Sequence, residues 1–164
     1  MASTDSTFIF VATYANEFAA RDDYQVIKGL HDQGLVGSYD AAVITKDASG
    51  KVHENKDETA TRHGAWWGIA AGAAVGAIFA PAVLGAAAVG GVSGHLAKGM
   101  SRSQAKELGD AIDPGQAGLV VVGESKVKEA VQKAVTKAVK QTAEDLDVDP
   151  KEIDKTLQQA ISEM

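Results

Sequence analysis

The spacing of apolar and polar positions predicts most of the elements. Phe8-Ile9-Phe10-Val11-Ala12-Thr13-Tyr14 is a short run of β-formers and reads as a buried strand. Asn16 fits the N-cap of a helix that starts near Glu17. Phe18, Val26, Ile27 and Leu30 would form its apolar side, with Arg21, Asp22, Asp23 and Lys28 elsewhere, and Gly34 would end it. A second strand is expected over 38–46, centred on Ala42-Val43-Ile44. Asp47-Ala48-Ser49-Gly50 has the composition of a turn. The polar run Lys51-Val52-His53-Glu54-Asn55-Lys56 reads as a strand pairing back at an edge.

Further on, residues 101–112 read as a helix with Ser101 or Ser103 as N-cap, and Asp113-Pro114-Gly115 as a turn. Gly118-Leu119-Val120-Val121-Val122-Gly123 is a continuous apolar run, the mark of a central strand. A long helix is expected over 125–146. Its Val127, Val131, Val135 and Val139 recur every four residues beside Lys126, Lys128, Lys133, Lys137 and Lys140. The favoured reading packs the valine side on the sheet. The other lays a basic amphipathic helix on anionic lipid. Asp149-Pro150-Lys151-Glu152 combines an N-cap, a first-turn proline and a carboxylate at the third helical position, so a terminal helix follows.

The expected fold class is α+β: a ferredoxin-like split βαβ core of four antiparallel strands, with two helices on one face. An inserted Ala/Gly-rich helical hairpin and extra C-terminal helices complete it. The expected organisation is 7–60 and 101–146 as the two parts of the core, 63–99 as the insert, and 149–164 as the terminal helix.

The insert is the unusual part. Residues 64–97 contain no Asp, Glu, Lys or Arg, and 20 of these 34 residues are Ala or Gly. Gly64, Gly68, Gly72 and Gly76 fall four apart, a spacing that stacks them on one helix face and lets another backbone approach closely. Gly85, Gly90 and Gly94 follow less regularly, and Pro81 divides two helices expected at about 64–80 and 82–97. Trp66 and Trp67 at the start, Ile69, Ile78 and Phe79 within, and basic flanks at both ends would suit entry into a membrane from the cytosol. Against that, each half spans roughly 24 Å of helix against a hydrocarbon core of roughly 30 Å. Protein partners suit the same row of small residues. These twelve residues are the expected oligomer or membrane contacts.

Composition removes several chemistries. The 164 residues contain no cysteine, which excludes disulfides and thiolate sites. The net charge of −6 argues against phosphate-backbone binding, so no nucleic-acid partner is expected. No secretory signal is visible at the start, which points to the cytoplasm or the cytoplasmic side of a membrane. His31, His53, His63 and His95 lack zinc-site spacing, and Asp22-Asp23, Asp57-Glu58 and Glu144-Asp145 read as solvated faces. Gly90-Gly91-Val92-Ser93-Gly94 lacks the phosphate-loop ending, and Asp147-Val148-Asp149 reads as a helix cap. No catalytic residue, metal or cofactor is expected.

The opening Phe-Ile-Phe-Val-Ala, the strand Asp40-Ala41-Ala42-Val43-Ile44-Thr45-Lys46-Asp47, the Gly-Ala-Trp-Trp-Gly-Ile start of the insert and the late Gly-Leu-Val-Val-Val strand occur in that order. In this the chain, over about residues 7–145, resembles a bacterial domain-of-unknown-function family of predicted membrane proteins, related to heat-induced general stress proteins. The resemblance implies a ferredoxin-like core, an inserted small-residue hairpin and an association with stress or membranes. It implies no activity. The terminal helix after Pro150 reads as an addition to it. The expected function is a non-enzymatic homo-oligomeric assembly protein, with itself and a lipid membrane as candidate partners. The alternative is a soluble ligand-binding or regulatory module that uses an open sheet face.

Overall fold

The computed structural model describes residues 6–30, 39–54, 74–75, 78–79, 83–84 and 99–162. The fold is mixed α and β. Strands β1 (Thr7–Tyr14), β2 (Tyr39–Lys46), β3 (Val52–Glu54), β5 (Ala117–Glu124) and β6 (Lys140–Leu146) pair antiparallel. The two-residue β4 (Val83–Leu84) adds to β3 in parallel, giving the order β4-β3-β2-β5-β1-β6. The helices are α1 (Glu17–Leu30), α2 (Arg102–Gly109), α3 (Lys128–Ala134) and α4 (Pro150–Ser162), and a 3-10 turn over Ser125–Val127 leads into α3.

β1 lies between β5 and β6, so both its edges are paired, and with a core on each face all eight of its residues are buried. Its side chains alternate between two cores, as the period of a strand requires. Phe8, Phe10, Ala12 and Tyr14 join Leu119 and Val121 of β5 under α1 and α3, whose Ala20, Tyr24, Ile27, Val131 and flanking Val127 and Val135 close that side. Ile9 and Val11 join Val120 and Val122 on the other face. There the cover comes from three separated pieces: Ala74, Val75, Ile78 and Phe79 of the insert, then Leu108, Ala111 and Ile112, then Val148 and Ile153. Each large apolar side chain so buried stabilises by about 1.5–3 kcal/mol.

Local signals set the element ends. The Asn16 Oδ1 accepts from the Ala19 N–H at 3.0 Å and starts α1. Ser101 and Gln104 form a reciprocal capping box at α2. The Asp149 Oδ1 accepts from the Lys151 N–H at 2.9 Å and caps α4. Gly115 holds φ +88° in the turn before β5, a conformation that glycine adopts without strain. At Gly118 a Cβ would overlap the Ile112 side chain, so glycine there admits Ile112 and Ile44 to the sheet surface.

Several expectations are corrected. On α1 the buried positions are Ala20, Asp23, Tyr24 and Ile27, whereas Phe18 and Val26 point to solvent. The helix expected over 125–146 stops at Ala134, and residues from Lys140 form β6 instead. The valine repeat is real through Val135, but Val139 is exposed. Beyond Val135 the free edge of β1 offers ladder hydrogen bonds, and sheet pairing overrides the helical preference of the lysine- and alanine-rich run. The helix at 101–112 was expected to share a face with α1; α2 lies on the opposite face, and α3 is the neighbour of α1. Each face of the sheet therefore carries a core of its own. Val83–Leu84, expected at the start of a second insert helix, forms β4.

Candidate functional site

Of the twelve expected contact residues, Ile78 and Phe79 are described, and both are buried on the sheet of their own chain. Gly64, Trp66, Trp67, Gly68, Ile69, Gly72, Gly76, Gly85, Gly90 and Gly94 lie outside the described residues, as do His31, His63, His95, Asp57 and Glu58.

Ile78 and Phe79 line one side of a cleft of about 240 Å³, with Lys46, Gly50, Val52, Ala105, Lys106, Gly109 and Asp110 around the rest. Apolar Val52, Ile78, Phe79 and Ala105 and charged Lys46, Lys106 and Asp110 share its lining. The Lys46 Nζ donates to the Ile112 carbonyl at 3.0 Å, which fixes that ammonium at the end of β2. Sequence reasoning did not find this cleft, because it forms where the insert, the β2–β3 hairpin and α2 meet.

The turn after β2 gathers an Asp, a Ser and a His. Asp47 Oδ1 accepts from the Ser49 N–H at 2.9 Å, the Ser49 hydroxyl at 2.6 Å and the Lys51 N–H at 3.0 Å. Its Oδ2 meets His53 Nε2 at 2.9 Å. The Ser49 hydroxyl, then His53, hold the Asp47 carboxyl well below the usual carboxylate range. A hydrolytic triad needs the histidine between nucleophile and carboxylate. Here the carboxylate stands in the middle and the serine donates to it, so the arrangement is that of a tightened turn and not of a triad.

Of the neighbouring carboxylates Asp22 and Asp23, which the sequence predicts to be solvated, the first is and the second is not. Asp22 is exposed and pairs with the Lys137 Nζ at 2.7 Å. Asp23 is buried, and its Oδ2 accepts from the Tyr14 hydroxyl at 2.8 Å and from the Lys137 N–H at 3.0 Å. Burial, then the bond to Asp23, push the Tyr14 phenol far above its usual range. Glu144 and Asp145, successive on β6, point to opposite faces. Asp145 pairs with the Lys128 Nζ at 2.9 Å. Glu144 meets Gln104 of α2 at 3.3 Å, and a hydrogen bond shared with Glu107, then burial, raises its carboxyl above the usual range. Among the described residues no three His, Asp or Glu side chains gather as metal ligands. Among them, too, no helix is long and apolar enough to cross a membrane.

A family model described as "Protein of unknown function (DUF1269)" matches residues 65–162, and the chain belongs to that family. The match runs from the glycine-rich insert through α4, so the terminal helix, expected to be an addition, lies within the family's own extent. No curated protein and no solved structure matches the chain.

Proposed function

We propose that the chain is a non-enzymatic module that assembles with further copies of itself. The observation that carries this reading is a set of large apolar side chains turned to solvent: Phe18 is 78% exposed, Val139 66% and Val26 45%. Phe18, Asp22 and Val26 stand four residues apart in one row along α1. Lys137, two residues before Val139, pairs with Asp22 in the middle of that row and ties the segment carrying Val139 to α1. Apolar surface grouped in this way marks protein contact sites.

The core of this module is proposed to be a ferredoxin-like split βαβ arrangement. The run β2-β5-β1-β6, with α1 and α3 on one face, supports it. The glycine row of the insert would supply a second contact, helix on helix. Burial of Ala74, Val75, Ile78 and Phe79 against polypeptide favours protein over lipid around that part of the insert. A cytoplasmic setting, attachment to the inner face of a membrane and a role in stress are carried by the insert's composition and the family resemblance. A ligand-binding role has less support, since the cleft of about 240 Å³ falls below the roughly 300–1,000 Å³ of small-molecule pockets.

Detergent-free fractionation followed by light scattering tests the proposal. A discrete soluble particle, several times the 17.0 kDa chain and shifted toward smaller species by Phe18→Ser or Gly72→Leu, is expected. A monomer at every concentration would sink the assembly reading. Sedimentation with membranes, reversed only by detergent, would replace it with lipid insertion.

A further inference from the structure

We infer that β6 pairs edge to edge with β6 of a second copy, antiparallel about Thr142, so that two sheets become one. The inference rests on the self-association reading and names its interface.

Among the described residues β6 is the end of the sheet. The direction of its backbone groups follows from one hydrogen bond. The Ser125 N–H donates to the Ser6 carbonyl at 2.8 Å, which sets the even-numbered residues of β1 facing β5. The odd-numbered residues of β1 then face β6. With Thr7 opposite Leu146, they bond to the even-numbered residues of β6. Gln141, Ala143 and Asp145 therefore aim their N–H and C=O groups away from β1. The far end of that row agrees. The Asp145 carbonyl accepts from the Gln104 Nε2 at 3.0 Å, and the Asp147 N–H donates to the Gly99 carbonyl at 3.1 Å. Those contacts cover the C-terminal end of the edge, and residues 140–144 have no strand on that side among the described residues.

The stretch 140–144 is self-complementary. Antiparallel pairing about Thr142 puts Gln141 opposite Ala143 of the second copy, with both bonds exchanged, and the two-fold axis repeats this. Four backbone hydrogen bonds result. The same register puts Lys140 directly opposite Glu144 of the second copy, again twice. Lys140 is exposed and has no ion pair among the described residues. Glu144 already shares its site with the Glu107 carboxyl, and a cation from outside is the group that site lacks. Charges on an edge strand often prevent pairing. Here the opposite signs at the two ends of the stretch repel a parallel neighbour and attract an antiparallel one. The exposed Val139, directly before β6, adds an apolar group at each end of the seam.

The absence of cysteine makes the test direct. Thr142 meets its own symmetry mate in a non-hydrogen-bonded pair, where Cα atoms lie about 4.5 Å apart and a disulfide can close. Thr142→Cys should give mostly covalent dimer on mild oxidation at micromolar concentration. Lys133→Cys, on the exposed side of α3, should stay uncross-linked. Lys140→Glu should raise the dissociation concentration about tenfold, since like charges opposite one another oppose pairing, and adding Glu144→Lys should restore it. If the native chain is oligomeric but Thr142→Cys does not cross-link and Lys140→Glu leaves its mass unchanged, the edge is wrong and self-association survives. If Thr142→Cys fails to fold, the Lys140 pair of variants decides alone. A native chain that is monomeric throughout would overturn both readings.

Discussion

Asp23 takes both of its described hydrogen bonds from other elements, the Tyr14 hydroxyl of β1 and the Lys137 N–H of the loop before β6. Asp23→Ala leaves both donors inside the molecule without an acceptor, so a loss of about 2–4 kcal/mol is expected in urea denaturation. The same cluster sets an alkaline limit. Tyr14 is an acid whose folded pKa lies above its unfolded value near 10. Its contribution to stability is complete below pH 10 and is lost as pH rises beyond it. Tyr14→Phe should remove that slope. None of this was legible in the sequence. Size and hydropathy assign Phe18 and Val26 to the inside of α1, while the helix is phased by Ala20, Tyr24 and Ile27 together with a carboxylate that β1 and a distant loop satisfy. The caps, by contrast, were readable at Asn16, Ser101 and Asp149, because each depends on a bond reaching no more than three residues along the chain.

Among the elements, the strands with continuous apolar runs, β1 and β5, were legible and β6 was not. Lys140-Gln141-Thr142-Ala143-Glu144-Asp145-Leu146 has no strand signature of its own, and its conformation is imposed by the bonds that β1 has to offer. The insert illustrates the opposite failure. Its composition points outward, to lipid or to other copies, yet Phe79 and Ile78 fill the face of the sheet under α2. Phe79→Ala should therefore destabilise the isolated chain by about 3–5 kcal/mol. A change of less than about 0.5 kcal/mol would mean that this part of the insert contributes nothing to the domain's own core. Where α2 meets β6, Glu144 has its folded pKa raised by Glu107 and by burial. The sign is that of a group held neutral: its contribution is complete below the ordinary carboxylate pKa and is lost as pH rises through the raised value. Glu107→Gln should flatten the fall in thermal midpoint as pH rises above the ordinary carboxylate range. An unchanged profile would remove the pair from the account.

At the scale of the whole molecule, the order of the sheet differs greatly from the order of the chain. β1 is the first element in sequence, but its two neighbours are β5 and β6, more than a hundred residues later. Contacts so far apart in sequence carry a large loop-closure cost and slow the search for the native state. During synthesis the eight residues of β1, every one buried in the finished fold, leave the ribosome long before either strand that will flank them exists. The nascent chain therefore carries an unpaired strand, apolar but for Thr7 and Thr13, and its yield in the cell depends on whatever shields that strand until Leu146 has emerged.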